Sequence, residues 1–227
     1  MATKVKPKAR AKGKVSEKVD LYKLHKADYV APKDPVILNL KSGKYLTTDG
    51  QGKPGSPEFS AHMGALYGAA YTIKFARKFS GGPDFKVAMP EGIYWSSDPA
   101  VCIEDQSIEQ WAWKLMIRVP DLIGAADLKH AISELEKKKK IDGNVDLKLE
   151  RIAEGKCVQA LHVGPYDKEP ETISRMKAFA EAQGYQLARQ HHEIYFSDPC
   201  RVAPEKLKTV LRIPLSKPAV TRPEAHS

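Results

Sequence analysis

The sequence is poor in cysteine and has no long hydrophobic run. Its three cysteines, Cys102, Cys157 and Cys200, lie far apart and form no C-x-x-C pair, which argues against a disulfide framework and against a thiolate metal site. The longest run of apolar character, residues 64–73, is too short for a membrane span, which needs about 20 residues. The first residues lack the apolar segment of a secretory signal. We therefore expect a cytoplasmic protein with no membrane partner.

Several motifs of cofactor and metal enzymes are also missing. The chain contains no phosphate-binding P-loop, no Gly-x-Ser-x-Gly nucleophile elbow and no protein-kinase motif. The adjacent His191 and His192 do not form H-E-x-x-H, and neighbouring residues of a strand point to opposite faces. The sequence therefore predicts no metal site and no cofactor.

Positive charge is concentrated at the N-terminus. The formal net charge is +9, but residues 1–20 contain seven Lys or Arg and only two acidic residues, so they carry +5 of it. Blocks of like charge are usually solvated. We interpret residues 1–20 as a disordered basic tail and residues 216–227 as a second flexible tail. Nucleic acid is not an expected partner, except for weak contact through the basic tail.

The stretch 50–55 has the spacing G-x-G-x-x-G, which is typical of a dinucleotide-binding turn. In that turn the last glycine lies inside the helix whose N-terminus meets the pyrophosphate. Here Pro54 precedes Gly55, and the helix signals follow later, with Ser56 as N-cap and Pro57 at the first helical position. The stretch is therefore interpreted as a connection into a helix and not as a nucleotide site.

Apolar periodicity predicts two similar halves. We expect strands at 35–40, 44–50, 84–89, 92–97, 110–119, 145–152, 156–163, 186–196 and 208–215, and helices at about 57–75, 127–140 (capped by Asp127) and 170–183. The stretch GIYWSSDP (92–99) is echoed by EIYFSDP (193–199), and IRVP (117–120) by LRIP (211–214). Such repetition indicates a duplicated unit. The fold class is therefore α+β, with two strand–helix–strand–strand modules, at about 21–120 and 145–215, whose sheets join along a groove.

The stretch RQHHEIYFSDP (189–199) is the richest in reactive side chains. Because strand side chains alternate, His191, Glu193 and Tyr195 would share one face, while Ile194 and Phe196 would face the core. The first face would border the groove, beside Tyr94 of the matching strand. A carboxylate among aromatic rings loses hydration, and it can hold a cation or act as a base on water. An ordinary exposed glutamate on a half-buried sheet is the alternative, and the sequence leaves both open.

Aromatic residues accompany this stretch in both halves. Trp111 and Trp113 share a strand face, and Trp95 lies beside Tyr94. Aromatic residues at strand spacing are most often part of the core, and those outside it would wall a flat apolar pocket. Tyr166 stands where a strand leaves the sheet, a position at which a phenol is typically half-exposed.

Five motifs together resemble those of the GyrI-like small-molecule-binding proteins, in the branch that carries no DNA-binding domain. They are DGQGKPGSPEF (49–59), GALYGAAYTIKF (64–75), WAWKLMIRVPD (111–121), LHVGPYDKEP (161–170) and HHEIYFSDPCRVAPEKLKTVLRIP (191–214). The resemblance covers residues 20–215 and implies one ligand-binding domain over about 21–215. It also implies a pseudo-two-fold axis between the modules and a central aromatic-walled pocket. One acidic residue would reach into that pocket, and Glu193 matches its position. In regulators of the wider superfamily that acid accepts flat, hydrophobic, cationic drugs.

Some relatives in this branch are cyclopropanoid cyclopropyl hydrolases, which open the strained ring of DNA-alkylating natural products by adding water. The resemblance implies that Glu193 is the base that activates water, and that Tyr166 or Tyr195 donates a hydrogen bond to the dienone oxygen. The partner would be a hydrophobic aromatic small molecule, bound by Tyr94, Trp95, Trp113, Tyr195 and His162. At Tyr94 another bulky residue such as Trp is expected in the family, and this departure leaves the substrate identity open.

Two other functions are compatible with the same residues. A pure binder would sequester or sense drugs without turnover, because binding and hydrolysis both need an apolar pocket with one acid. An interaction protein would act on a macromolecule such as DNA gyrase, as the family's name-giving member does, and the basic tail would assist that contact. The sequence does not separate these functions.

Overall fold

The computed structural model describes residues 18–141 and 143–217. Two short helices, α1 (Leu21–Leu24) and α2 (Lys26–Tyr29), lead into the first half. That half continues with β1 (Val36–Leu40), β2 (Gly43–Gln51), α3 (Pro57–Phe79), β3 (Pro90–Ser96) and β4 (Trp111–Arg118). Helix α4 (Ala125–Lys137) connects the halves. The second half contains β5 (Lys148–Ile152), β6 (Gly155–Val163), α5 (Glu169–Ala182), β7 (Gln186–Leu187), β8 (His191–Tyr195) and β9 (Lys208–Ser216).

The strands form one antiparallel sheet in the order β1-β6-β9-β8-β3-β4-β2-β5, with β7 paired to the end of β9. Strands β6, β9 and β8 of the second half mirror β2, β4 and β3 of the first, and β8 pairs with β3 where the halves meet. This is the order of two like modules related by a pseudo-two-fold axis between β3 and β8. The predicted α+β fold with tandem strand–helix–strand–strand modules is confirmed.

The outer strands are exchanged between the halves. Strand β1 pairs with β6, and β5 pairs with β2. Two residues separate β1 from β2, and two separate β5 from β6. In each of these short connections the chain passes from one half of the sheet to the other, and the two connections lie together at one end of the sheet. The sheet is thereby curled into a half-barrel with a pocket-like shape.

Both long helices pack on the same face of the sheet, which we call the helix face. Helix α3 begins after Ser56, whose hydroxyl accepts the Phe59 N–H at 3.2 Å, and it buries Leu66 and Ile73 in the larger core. Helix α5 buries Met176 in a smaller core that includes Leu211 of β9. The two helices thus cover the outer parts of the sheet and leave its centre, β3 and β8, between them.

The glycines of the stretch 50–55 allow turns of the backbone and close packing of a neighbouring ring, as expected for a connection that binds no nucleotide. Gly52 and Gly55 have φ values of +108° and +83°, which favour glycine. The Trp113 ring lies directly on Gly50, so that any side chain there would overlap the indole. The strand before this stretch is antiparallel to both neighbours, which excludes a Rossmann arrangement.

Two predicted strands differ from the structure. Residues 84–89 form no strand, and Phe85 makes a single bridge with Val19, because both neighbouring positions of β3 are already occupied by β4 and β8. The predicted strand 186–196 is interrupted at 188–190, where the Arg189 guanidinium turns out of the sheet and donates to the Pro99 carbonyl.

The predicted cap of α4 is also wrong. The N-cap is Gly124, and Asp127 lies in the first turn, where its carboxylate accepts the Gly124 N–H at 2.8 Å. The carboxylate also binds Arg77 of α3 at 2.7 Å. Asp127 therefore joins α4 to α3.

Most of the predicted tails, residues 1–17 and 218–227, lies outside the described residues. Within the segment predicted as the basic tail, Val19 donates to the Asp84 carbonyl at 2.9 Å and accepts from the Lys86 N–H at 2.8 Å. Backbone pairing thus begins before residue 20. Among the described helices, none combines the length and the apolar character that crossing a membrane requires.

Candidate ligand-binding and active site

Glu193 lies at the centre of the helix face. Strand β8 places it opposite Gly92 of β3 on one side and opposite Leu211 of β9 on the other. His191 and Tyr195 share its face because strand side chains alternate. Glu193 is 6% exposed, so its carboxylate is held inside the protein where the halves meet.

Two side chains of β8 hold the Glu193 carboxylate by hydrogen bonds, and Tyr94 of β3 contacts one of them, Tyr195. His191 Nε2 lies 2.8 Å from Oε1, and the Tyr195 hydroxyl donates to Oε2 at 2.7 Å. The Tyr94 hydroxyl lies 2.5 Å from that of Tyr195. Burial, followed by the charge of Glu193, raises the pKa of both tyrosines well above the usual value. Both phenols therefore remain protonated hydrogen-bond donors at neutral pH.

A second carboxyl group, Glu169, joins Glu193 from the first residue of α5. Glu169 is 5% exposed, and its Oε1 has no hydrogen-bond partner among the described residues. Burial and the negative charge of Glu193 raise the pKa of Glu169 well above its usual range. Because two buried like charges cannot both be stabilised, Glu169 keeps its proton beside Glu193.

Aromatic rings surround this carboxyl pair. Tyr94 stacks on the His191 ring at a centroid distance of 5.5 Å, and Trp111 lies 6.0 Å from Tyr94 and 5.9 Å from His191. Tyr166 stands edge-on to Tyr195 at 6.1 Å and is 39% exposed, so it forms the outer rim. We call the whole set the Glu193 cluster: Glu193, Glu169, His191, Tyr94, Tyr195, Tyr166 and Trp111.

The structure brings together four of the residues singled out from the sequence. Glu193, Tyr94 and Tyr195 are joined by hydrogen bonds, and Tyr166 contacts Tyr195 through its ring. Their assembly follows from the β3–β8 pairing, which sets the matching strands of the two halves side by side.

Two tryptophans expected in the pocket lie elsewhere. Trp95 follows Tyr94 on β3 and therefore points to the opposite face, where it packs with Tyr45, Ile93 and Met116. Trp113 is on the helix face but is completely buried by Phe59 and His62 of α3. Its indole nitrogen donates to the Gly52 carbonyl at 3.1 Å. Trp113 is thus a core residue that no ligand touches in this conformation.

His162 is likewise outside the cluster. Its Nδ1 lies 2.9 Å from the Thr172 hydroxyl and its Nε2 lies 3.1 Å from the Pro165 carbonyl. Both ring nitrogens are therefore occupied, and they tie the end of β6 to helix α5. This arrangement makes His162 a structural residue.

Three residues of the cluster were not expected there from the sequence. Strand alternation predicts that His191 lies on the face of Glu193 but gives it no role, and it predicts only that Trp111 shares a face with Trp113. The indole nitrogen of Trp111 is buried and has no hydrogen-bond partner among the described residues. Glu169 gave no signal, because an acidic residue in the first turn of a helix is ordinarily explained by the helix dipole.

The opposite face of the sheet carries a buried charged network directly behind the cluster. His192 Nε2 lies 3.0 Å from Glu91 Oε2, and its Nδ1 contacts Glu154. Arg212 donates to Gln159 at 2.8 Å and lies 4.0 Å from Glu154. Burial disfavours the charged imidazole, but Glu154 and Glu91 outweigh it and raise the pKa of His192. A protonated His192 balances these acids and fixes β8 between β3 and β9.

Two open cavities adjoin neither carboxyl group of the cluster. One, of about 490 Å³, lies on the opposite face and is lined by Trp95, Lys114, Ile152 and Arg189 among others. The second, of about 370 Å³, lies beside it around Asp98 and Gln110. The described residues include no group of three or more side chains suited to hold a metal ion. Both cavities therefore lie apart from the Glu193 cluster, in which Tyr166 is an exposed member.

Comparison with known proteins agrees with this architecture. Residues 33–216 match the model of a family described as the GyrI-like small molecule binding domain. A hydrolase encoded by lin2189 from Listeria innocua is 35% identical, with a TM-score of 0.79 over 88% of this chain and 100% of that chain. An uncharacterized conserved protein from Listeria innocua is 36% identical, with the same coverage and a TM-score of 0.79. None of the curated proteins compared with the chain matches it.

Proposed function

The chain belongs to the GyrI-like small-molecule-binding family, and on that premise we propose that the Glu193 cluster hydrolyses cyclopropanoid DNA-alkylating compounds by adding water. The observation that carries the proposal is the buried carboxyl pair of Glu193 and Glu169 inside a wall of aromatic rings. Such a protein would detoxify reactive alkylators and protect DNA from them.

The cluster suits a flat, hydrophobic ligand. Aromatic side chains favour offset-stacked or edge-on contact with planar rings, and Tyr166, Tyr195 and Trp111 form the partly exposed side. The free indole N–H of Trp111 can donate to a carbonyl of the ligand. The negative charge of Glu193 also favours an electron-poor or cationic ring system, which is the second ligand class expected from the sequence.

The carboxyl pair supplies a base and an acid in one site. Glu193 takes a proton from water as the water oxygen bonds to a cyclopropane carbon. The ring C–C bond breaks, and its electron pair moves into the dienone to give a phenolate. Glu169, which burial keeps protonated, gives a proton to that oxygen, and the proton on Glu193 then passes to Glu169, so the site is restored and the net change is addition of one water. Pairs of carboxyl groups with separated pKa values commonly divide acid and base roles in this way.

The tyrosines would stabilise the negative charge that develops on the ligand oxygen. Tyr195 is the best placed, because its hydroxyl already bridges Glu193 and Tyr94. Tyr166 lies at the rim, where a modest side-chain movement would admit the ligand and then cover it. The description of the Listeria innocua relative as a hydrolase supports the choice of hydrolysis over other reactions.

The test uses purified protein, a cyclopropanoid alkylator and water enriched in ¹⁸O. We expect the ring-opened product with one ¹⁸O atom, detected by liquid chromatography and mass spectrometry. Glu193→Gln should still bind the compound but turn over about 10²–10⁴-fold more slowly. Glu136→Gln, which changes an exposed residue of α4, is the matched control and should react normally. Undiminished turnover by Glu193→Gln would contradict the mechanism, and binding without any wild-type turnover would identify a drug-sequestering protein instead.

A further inference from the structure

Helix α3 carries a row of four stacked aromatic rings, of which Tyr67 is partly buried and the other three are exposed. Tyr67, Tyr71, Phe75 and Phe79 follow one another at a spacing of four residues, with ring centroids 6.4, 6.1 and 5.9 Å apart and interplanar angles of 16–25°. Tyr71 is 45% exposed, Phe75 is 43% exposed and Phe79 is 80% exposed. We call these four residues the aromatic ladder. Contiguous exposed rings of this kind typically mark an interaction surface.

The N-terminal half of the same helix face is made of small residues. Ser60, Ala61 and Gly64 are exposed, and a Cβ at Gly64 would meet nothing within 4 Å. They lie on the face of the ladder because residues three, four and seven apart share one side of a helix. The opposite side of α3 is already used, since it packs against the sheet through Leu66 and Ile73.

Charge is also unequal along α3. Glu58 is exposed in the first turn, and Lys78 is exposed in the last turn. The helix therefore has an acidic end beside the small residues and a basic end beside the ladder, and it is about 34 Å long at 1.5 Å per residue.

We propose that this face is a homodimer interface, in which α3 packs antiparallel against α3 of a second copy. A two-fold axis near the middle of the helix places the ladder of each copy over the small residues of the other. Phe75 then lies over Ala61, Tyr71 lies over Gly64, and Lys78 meets Glu58 across the interface. A contact around a two-fold axis must be self-complementary. An antiparallel copy of α3 meets this condition, because it sets large rings against small residues and the basic end of one helix near the acidic end of the other.

Sedimentation velocity over a range of protein concentrations tests the association. The wild-type chain should show about twice the mass of one chain at high concentration. Phe75→Glu with Phe79→Glu should be monomeric while keeping its circular dichroism spectrum and thermal transition. Leu24→Glu, which places a negative charge on an apolar residue of α1 that is 68% exposed, is the control and should remain dimeric. A dimer that survives the double substitution overturns the proposal, as does a wild type that stays monomeric at every concentration.

Charge reversal and crosslinking fix the geometry. Glu58→Lys should weaken the dimer at least several-fold, and adding Lys78→Glu should restore it. Ala61→Cys with Phe75→Cys, in a chain whose exposed Cys102 and Cys200 are replaced by serine, should give disulfide-linked dimers. Within one chain these positions are fourteen residues apart on a helix, about 21 Å, so the link can form only between copies. Failure of both the rescue and the crosslink would overturn the antiparallel arrangement.

Discussion

The ring of Tyr94 lies directly over Gly92, the residue opposite Glu193 in the β3–β8 pairing. A Cβ on Gly92 would come within 2.8 Å of both the Cε2 atom and the hydroxyl oxygen of Tyr94. The missing side chain lets the phenol lie along the strand, and in that position its hydroxyl reaches Tyr195. Gly92 thus contributes to the site although it has no side chain.

Gly92→Ala should displace the Tyr94 ring and break its contact with Tyr195. Overpacking of this kind typically costs about 1–3 kcal/mol in the free energy of unfolding, measurable by urea denaturation. In a Tyr94→Ala background the space is open, so the same methyl group should cost far less. An equal cost in both backgrounds would show that the Tyr94 ring is not what excludes a side chain at Gly92.

Substitution of Trp111 should affect ligand binding, whereas substitution of Trp95 should not. Trp111→Phe removes the unpaired indole N–H and part of the stacking surface, and we expect a loss of about 0.5–1.5 kcal/mol, or roughly two- to tenfold in affinity. Trp95→Phe alters the opposite face and should leave the affinity unchanged. Titration followed by tryptophan fluorescence checks both, since the ligand-induced change should disappear with Trp111. A change that follows Trp95 instead would place the ligand in the cavity on the opposite face.

Glu169→Gln should stabilise the protein at neutral and alkaline pH while slowing turnover. The pKa of Glu169 is raised in the folded state by burial and by Glu193, so the folded protein binds a proton that the unfolded chain releases. The stability that the protonated Glu169 contributes is therefore fully present below the pKa that Glu169 has in the unfolded chain. It is lost as the pH rises through the pKa that Glu169 has in the folded protein. Glutamine has no proton to lose, so Glu169→Gln should raise the free energy of unfolding at pH 7 by up to about 3 kcal/mol. This figure corresponds to roughly 1.4 kcal/mol for each pH unit above the pKa of the unfolded carboxyl group.

Urea denaturation at pH 5 and pH 8 measures this gain, which should be larger at pH 8. Glu171→Gln is the matched control, because it removes an exposed carboxylate from the same helical turn. A gain from Glu169→Gln that does not depend on pH would mean that Glu169 is not held protonated.

The buried network behind the site should make stability fall at alkaline pH. Glu154 and Glu91 raise the pKa of His192 against the effect of burial. The stability that the protonated imidazole contributes is complete below its ordinary pKa of about 6.5, and it is lost as the pH rises through the higher folded value. His192→Gln removes the cation between two buried acids, of which Glu154 keeps only the more distant Arg212, and it should cost about 3–5 kcal/mol at pH 6.

That cost should shrink at pH 9, because the unfolded chain has by then released the proton that His192 binds in the folded protein. Thermal unfolding at both pH values measures it, with His130→Gln, an exposed histidine of α4, as the control. If the cost stayed the same at pH 6 and pH 9, His192 would have to be neutral in the folded protein.

The sequence by itself determined the elements and their duplication. Helix α3 is specified by Ser56, Pro57 and the apolar spacing that follows, and the repeated I-Y-aromatic motif identifies β3 and β8 as equivalent strands. Strand alternation was sufficient to place Glu193 and Tyr195 on one face, because that rule is local and needs no knowledge of neighbours. The strand predicted at 84–89 is absent for a reason that lies outside its own sequence, because both edges of β3 are already paired with other strands.

Only the tertiary structure decided which residues surround Glu193. Trp113 and Trp111 share a strand face, yet α3 covers the first and leaves the second beside the site. Glu169 reaches Glu193 from another element, and its raised pKa arises from burial and from a charge 24 residues away in the chain. Such contacts join residues distant in sequence, and no periodicity records them, because they depend on how the sheet curls and how the helices lie across it.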